Sequence, residues 1–412
     1  MNAVAAATTR LPIARNTALL SGTMAVNSAF LQLAAAVSSI TFVSVVGIRG
    51  LLGLGPAIVL TAQALTAFPA GRSMDRFGRV PVIASGFALG SAGCLVTAAG
   101  AATVSPALVV LGFALLGAAG AIGILIRTAA GDMYPPERRA RGIALVLFGS
   151  VFGAILGPTV FTPIFAGRDL SAHALVVPWL AGAAIPLAGL ALVLAVRPDP
   201  KRIGELLTGE EPSDDVAAPL GEIVRRPGVA PAMLAAIASL AVMVSVMNLT
   251  GYVVVTAHHH PQSSIFPIIG AHVLGMYGLV LVIGSFIDRV GRMPALAGGL
   301  AVMAASCAGL AWVSSVPLTA LLLCGLGVGW NLSFVAATAE LADRSAPAER
   351  GRLLGFNDLL SSLTGAALAL LGGVALEALG VTALAVGAAT LVILPVVWFA
   401  ARGQLRPLPE AA

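Results

Sequence analysis

Two pairs of soft donor side chains stand at helical spacing inside apolar runs: Met243 with Met247, and His272 with Met276. Residues four apart share one face of a helix. Counted from outer ends near Thr256 and Ser264, Met247 and His272 lie roughly 14 and 12 Å deep at the helical rise per residue. On the same rise Met243 and Met276 lie at roughly 20 and 18 Å. Thioether and imidazole donors suit Cu(I), so these four residues form a candidate metal site if their helices are adjacent and antiparallel. Methionines at this spacing also serve as ordinary packing material in an apolar helix. His258, His259 and His260 follow at the mouth of the same run, either gathering metal or ending a helix in solvent.

Other polar residues interrupt the apolar runs singly. Asn27, Gln32, Arg127, Asn248, Trp330 and Asn331 sit where a lipid-facing position would be costly, so they are expected to line a substrate cavity or to bond a partner helix. Arg127 is the one charge well inside a run, suited to an anionic substrate or to pairing with Asp132 further along the same helix. None of the 18 acidic residues falls near a run's centre; Asp132, Glu340 and Asp358 lie toward one end and Glu377 toward the other. No simple carboxylate proton relay is therefore visible, and His272 is the titratable group suited to proton coupling at depth.

A third kind of chemistry lies in the connections. Gly71, Asp75, Arg76, Gly78 and Arg79 form a GxxxDRxGR turn, and Gly284, Asp288, Arg289, Gly291 and Arg292 repeat it. Glycine permits close helix approach and a tight turn, while Asp and Arg at a helix end pair across the loop or cap a neighbouring helix. Such contacts form in one conformation and break in another, as a gate requires. The stretch Pro136, Glu137, Arg138 matches Ala348, Glu349, Arg350, at a displacement within one residue of that between Asp75 and Asp288. Two landmarks sharing one displacement indicate a duplicated chain.

The elements that must position these residues follow from composition. The chain has 412 residues, 58% hydrophobic and 10% charged. Too little charge is present to coat a water-soluble globule, so most of the surface must face lipid. Apolar runs of spanning length occur near 17–46, 50–70, 80–101, 106–133, 142–166 and 174–196, then near 229–256, 264–287, 293–315, 317–342, 353–379 and 381–401. They do not alternate as barrel strands do. The expectation is an all-α membrane protein: twelve transmembrane helices in two pseudo-symmetric six-helix bundles, 1–196 and 229–412, joined by a linker over 197–228. That linker reads as a flexible tether, with a short amphipathic helix at Leu220–Arg226. Of the 23 basic residues, all but Arg49, Arg127 and Arg168 fall at one end of the runs or in the linker. The asymmetry predicts a multi-pass inner-membrane protein with the first run retained and both termini cytoplasmic.

The net charge of +5 is clustered between apolar runs and forms no stripe, which excludes nucleic acid as partner. The three cysteines, Cys94, Cys307 and Cys324, read as small hydrophobes. No P-loop, nucleophile elbow or HExxH is present, so an enzyme is not expected.

The duplicated DRxGR turn resembles the signature loop of the major facilitator superfamily, and the resemblance covers the whole chain. Gly153, Gly157 and Pro158 look like part of a glycine–proline motif of its antiporters, with Phe161 and Thr162 where a glycine pair is usual. The stretch Met243–Arg292, the residues Gly327 to Asn331, and Arg350 to Asp358 are similar to a bacterial branch holding copper importers for haem–copper oxidases and related riboflavin transporters. The resemblance implies two bundles rocking about a midplane site, hence a secondary transporter of a small solute, with copper or riboflavin uptake implied by the branch. A proton-coupled exporter of drugs or metabolites remains open beside it. So does a sensor or assembly factor on the same scaffold, though a sensor need not keep both loops. Lipid and a small-molecule or metal-ion substrate are the expected partners of a monomer, with no cofactor beyond Cu(I) as cargo.

Overall fold

The computed structural model describes residues 11–47, 54–153, 155, 171–208, 218–261 and 264–401. Among them, helices occupy every predicted apolar run. Helix α1 spans Ile13–Val46, α2 Leu54–Phe77 and α3 Arg79–Ala102. The fourth run is α4 (Pro106–Ile124) continued after Leu125 by α5 (Ile126–Asp132). A short 3-10 turn, Pro136–Arg138, leads into α6 (Arg139–Leu147), and α7 covers Val176–Leu194. The linker carries α8 (Pro200–Thr208) and α9 (Leu220–Arg225). Then come α10 (Val229–Tyr252), α11 (Ile265–Tyr277), α12 (Val280–Val290), α13 (Arg292–Leu310) and α14 (Val316–Asp343). The final pair is one continuous stretch, α15 (Pro347–Ala401), interrupted at Gly380 where φ is 81°.

Seven helical segments among the described residues are long and apolar enough to cross a membrane by themselves, and the segments Pro267–Tyr277 and Val280–Val290, bent by 42°, would make an eighth. The fifth run lies partly outside the described residues. Helix α8 occupies a stretch expected to be a tether. Its signals are in the sequence: Asp199 at the N-cap and Pro200 at the first helical position.

The chain divides into two compact units, each of which takes in a short piece of the other sequence half. Unit 1 comprises Met1–Pro135, Leu145–Ala217 and Pro347–Leu359; unit 2 comprises Pro136–Ala144, Ala218–Ala346 and Leu360–Ala412. In unit 1, α3 packs between α4 and α7, α2 rests on α4, and α1 on α7. The core holds Phe113 between Phe42 and Trp179, with ring centroids 6.5 and 6.0 Å away. Trp179 Nε1 donates to Thr41 Oγ1 at 2.9 Å, so the one polar atom of that ring is satisfied.

In unit 2, α14 is the central helix, packed by α10, α11 and α13. Its contact with α11 is backbone against backbone. A Cβ on Gly275 would strike the Cys324 carbonyl, and one on Gly327 would meet Met276 N at 2.8 Å. Without an apolar-versus-water driving force between helices in lipid, such small residues are what permit tight packing. Gly275→Val should therefore lower the thermal unfolding midpoint in detergent, by the about 1–3 kcal/mol typical of overpacking. Gly298→Ala, where a Cβ meets nothing within 4 Å, should leave it nearly unchanged.

Candidate functional site

Helix α2 ends, and α3 begins, around the first DRxGR turn. Asp75 on the last turn of α2 reaches the piece of unit 1 contributed by the second sequence half. Its Oδ1 accepts from the Gly351 N–H at 2.8 Å and its Oδ2 from the Arg352 N–H at 2.6 Å. These groups lie near the start of α15, where N–H dipoles favour an anion. Gly71 makes the approach possible, because a Cβ there would overlap the Gly351 carbonyl. Burial pushes the Asp75 carboxyl, which lies beyond the predicted second span, above its ordinary value; the Arg79 guanidinium and the two N–H donors oppose that rise.

Arg79 is wholly buried. Its Nη1 donates to Asp75 Oδ1 at 2.9 Å, its Nε to Asp132 Oδ2 at 2.7 Å, and its Nη2 to the Pro347 carbonyl at 2.6 Å. Arg350 Nη1 donates to the other oxygen of Asp132 at 2.7 Å. Asp75, Arg79, Asp132 and Arg350 thus form one clasp.

Unit 2 repeats it. Asp288 accepts from the N–H groups of Ala140 at 3.2 Å and Arg141 at 2.9 Å, near the start of α6. Arg292 donates to Asp288 at 2.7 Å, to Asp343 at 3.2 Å, and to the Pro136 carbonyl. Arg139 completes the set on Asp343. A Cβ on Gly284 would stand 2.5 Å from that of Ala144, so this glycine plays the part of Gly71. Gly78 and Gly291 close the two turns at φ 93° and 97°, which side chains rarely adopt. Arg76 is exposed, its guanidinium 5.1 Å from the Phe77 ring centre, and Arg289 is exposed.

The contacts correct one detail of the repeat. Arg350 is matched by Arg139, and Pro347 by Pro136, one residue out of register with the pairing of Arg350 to Arg138. The sequence reading of the gate omits Asp343 and Arg139 and gives Asp132 and Arg350 other partners, although Asp132 with Asp343 and Arg139 with Arg350 recur at one displacement.

The in-span candidates divide. Arg127, at the start of α5, donates through Nη2 to Asp358 Oδ1 at 2.5 Å, with both residues buried. Asp132, the partner expected for Arg127, is engaged by Arg79 and Arg350 instead. Asn27 is buried on α1 against Gly123, in a small cavity with Phe30, Phe87, Ala119 and Pro186. The side chains of Gln32 and Asn248 lie outside the described residues.

In unit 2, Trp330 stacks on Phe334 at 4.8 Å and meets Tyr277 edge-on at 6.4 Å. Asn331 donates to the Met276 carbonyl. Trp330 Nε1 and Asn331 Oδ1 are buried without a partner among the described residues. His272 Nδ1 bonds the Leu323 carbonyl at 2.9 Å, and its Nε2 is likewise unpartnered. Met243 is buried, whereas Met247 and Met276 are partly so. Both α10 and α11 pack chiefly on α14 rather than on each other. The close packing of α10 on α11 that a site of Met243, Met247, His272 and Met276 requires is therefore not found among the described residues. No group of three or more His, Cys, Asp or Glu suited to a metal occurs among the described residues.

The family model described as Major Facilitator Superfamily matches residues 16–366 and, again, 268–412. The uncharacterized MFS-type transporter YddS of Bacillus subtilis (strain 168) is 30% identical over 371 residues, 87% of this chain and 85% of the relative. The riboflavin transporter RfnT of Brucella anthropi is 31% identical over 313 residues, covering 72% and 73%. Among solved structures, the human organic anion transporter MFSD10 superposes with a TM-score of 0.75 at 15% identity, over 94% of this chain and 99% of that one, which speaks for the fold. All three are described as transporters. The chain belongs to the Major Facilitator Superfamily of membrane transporters.

Proposed function

We propose that this chain moves a small organic solute across the inner membrane by alternating access, with its clasps on the cytoplasmic side. The observation that carries this reading is the duplicated clasp. In each unit a carboxylate from one sequence half holds N–H groups supplied by the other half, through hydrogen bonds that separate without any covalent change. The positive-inside distribution of Lys and Arg supports the orientation.

For the solute, a planar aromatic ring system of the riboflavin class is favoured. The relative that is 31% identical is a riboflavin transporter. The group of Tyr277, Trp330 and Phe334 offers ring faces beside the unpartnered Trp330 Nε1 and Asn331 Oδ1. Apolar faces with a few convergent polar atoms are what such a ligand needs. Arg127 and Asp358 supply a buried charge pair through which solute movement would be linked to a proton, in either direction of transport. The second reading, Cu(I) uptake, is favoured by the buried and unpartnered His272 Nε2 and by the thioethers of Met243, Met247 and Met276.

Uptake of labelled riboflavin and of copper, compared in cells with and without the protein, tests the two readings; riboflavin accumulation above background is expected, and a signal for copper alone would reverse the choice. Asp75→Asn should cut uptake at least about tenfold at normal membrane abundance, since a charge-assisted hydrogen bond is worth about 1.5–3 kcal/mol. Near-normal uptake in that variant would remove the gating role. Met247→Leu nearly preserves volume, so riboflavin uptake should survive it, whereas Cu(I) transport should collapse. Asp358→Asn should abolish accumulation driven by a pH gradient in proteoliposomes while solute counterflow persists. Loss of both in a correctly inserted protein would assign Asp358 to the fold rather than to coupling.

A further inference from the structure

The linker enters unit 1 through a single carboxylate that serves two helices. Helix α3 starts directly after Gly78, a residue with no side chain to accept the first N–H groups of the helix. Asp199 takes that place from far along the chain. Its Oδ1 accepts from the Arg79 N–H at 3.1 Å and its Oδ2 from the Val80 N–H at 2.8 Å. The same Oδ1 accepts from the Lys201 N–H at 2.9 Å, capping the linker's own helix α8. An N-terminal carboxylate satisfies otherwise orphaned donors and complements the helix dipole.

Two further contacts lead from this point to the clasp, and two more tie the linker to α1. Lys201 Nζ donates to the Asp75 backbone carbonyl at 2.6 Å. Helix α8 lies against Asp132, since a Cβ on Gly204 would stand 3.2 Å from the Asp132 carbonyl and 3.3 Å from its Cβ. Upstream, Arg15 Nη2 and Asn16 Nδ2 on α1 donate to the carbonyls of Arg197 at 2.6 Å and Pro198 at 3.3 Å. Gly78 carries an independent mark of the same arrangement. Besides its positive φ, a Cβ there would come within 2.9 Å of Asp199 Oδ2. The turn is thus shaped around the linker's carboxylate.

We propose that Asp199 and Lys201 are positioning residues of the Asp75 clasp, so that the linker, by holding the turn between α2 and α3, sets how firmly that clasp closes. The inference rests on the gating reading above and adds a control element to it. Asp199 fixes the start of α3, from which the Arg79 side chain reaches Asp75 and Asp132. Lys201 fixes the last turn of α2, from which Asp75 reaches Gly351 and Arg352. Withdrawal of the linker carboxylate takes the acceptor from three helix N–H groups, those of Arg79 and Val80 on α3 and of Lys201 on α8, and frees the turn.

The test needs no substrate. Spin labels are placed at Arg72→Cys, which is exposed, and Ala348→Cys, which is partly exposed, in the full chain with Cys94, Cys307 and Cys324 replaced by alanine, in lipid nanodiscs. Pulsed electron paramagnetic resonance then reads the distance across the clasp. Asp199→Ala is expected to raise the ratio of long to short distances about tenfold, the scale of one charge-assisted hydrogen bond. Lys201→Met should shift it the same way by less, and Asp199→Glu should restore the short distance. An unchanged distribution in Asp199→Ala, while Asp75→Ala widens it, overturns the proposal and leaves the gate standing. No widening in Asp75→Ala removes the gate and the proposal together. A lowered unfolding temperature in Asp199→Ala without any change in distance makes Asp199 a structural residue only and also overturns it.

Discussion

Asp75 and Asp288 each place both oxygens of one carboxylate on consecutive backbone N–H groups near the start of a helix, and each is held there by an arginine four residues on. The rest of each unit is arranged around that contact. The glycine four residues before each Asp lets the two backbones meet; the glycine three residues after it turns the chain so that the arginine folds back. The arginine then needs further acceptors, because its guanidinium carries five donors and is removed from water. In unit 1 these are Asp132 and the Pro347 carbonyl, and in unit 2 Asp343 and the Pro136 carbonyl.

Charges so buried are a poor source of net stability, since desolvation offsets most of their attraction. Their use lies in being conditional. An apolar contact of the same area, facing lipid, would hold with little dependence on alignment, whereas a shared carboxylate holds strongly only while its donors are aligned. That property is the one on which the proposed gating rests. The permanent packing of each unit relies instead on helices meeting at glycine, as α11 and α14 do, and on the rings of Phe42, Phe113 and Trp179.

Fold and cargo rest on different residues. The likeness to solved transporters at 15% identity shows that the architecture survives near-complete replacement of side chains. Two groups of buried polar and aromatic side chains stand out among the described residues: Arg127 with Asp358, and Trp330 with Tyr277, Phe334 and Asn331. The first is a closed pair of opposite charges. The second keeps a ring N–H and an amide oxygen unspent inside an apolar surround.

Apolar run length and the doubled DRxGR turn determined by themselves the all-helical membrane architecture. These features act locally, through the cost of placing charge or bare backbone in lipid, and so they are legible in one dimension. Tertiary structure decided which charges meet. Asp132 and Asp358 both lie toward the ends of their runs, and nothing in their spacing assigns Arg79 and Arg350 to the first and Arg127 to the second; separations of 53, 218 and 231 residues stand between these partners. The one-residue error in aligning Arg350 with Arg138 has the same origin, since the sequence offers two adjacent arginines and only the geometry of α6 selects Arg139. The linker shows the division most clearly. Asp199 and Pro200 announce a helix start in the sequence, but that the same carboxylate also caps α3 follows only from the folding of a segment 120 residues away against it.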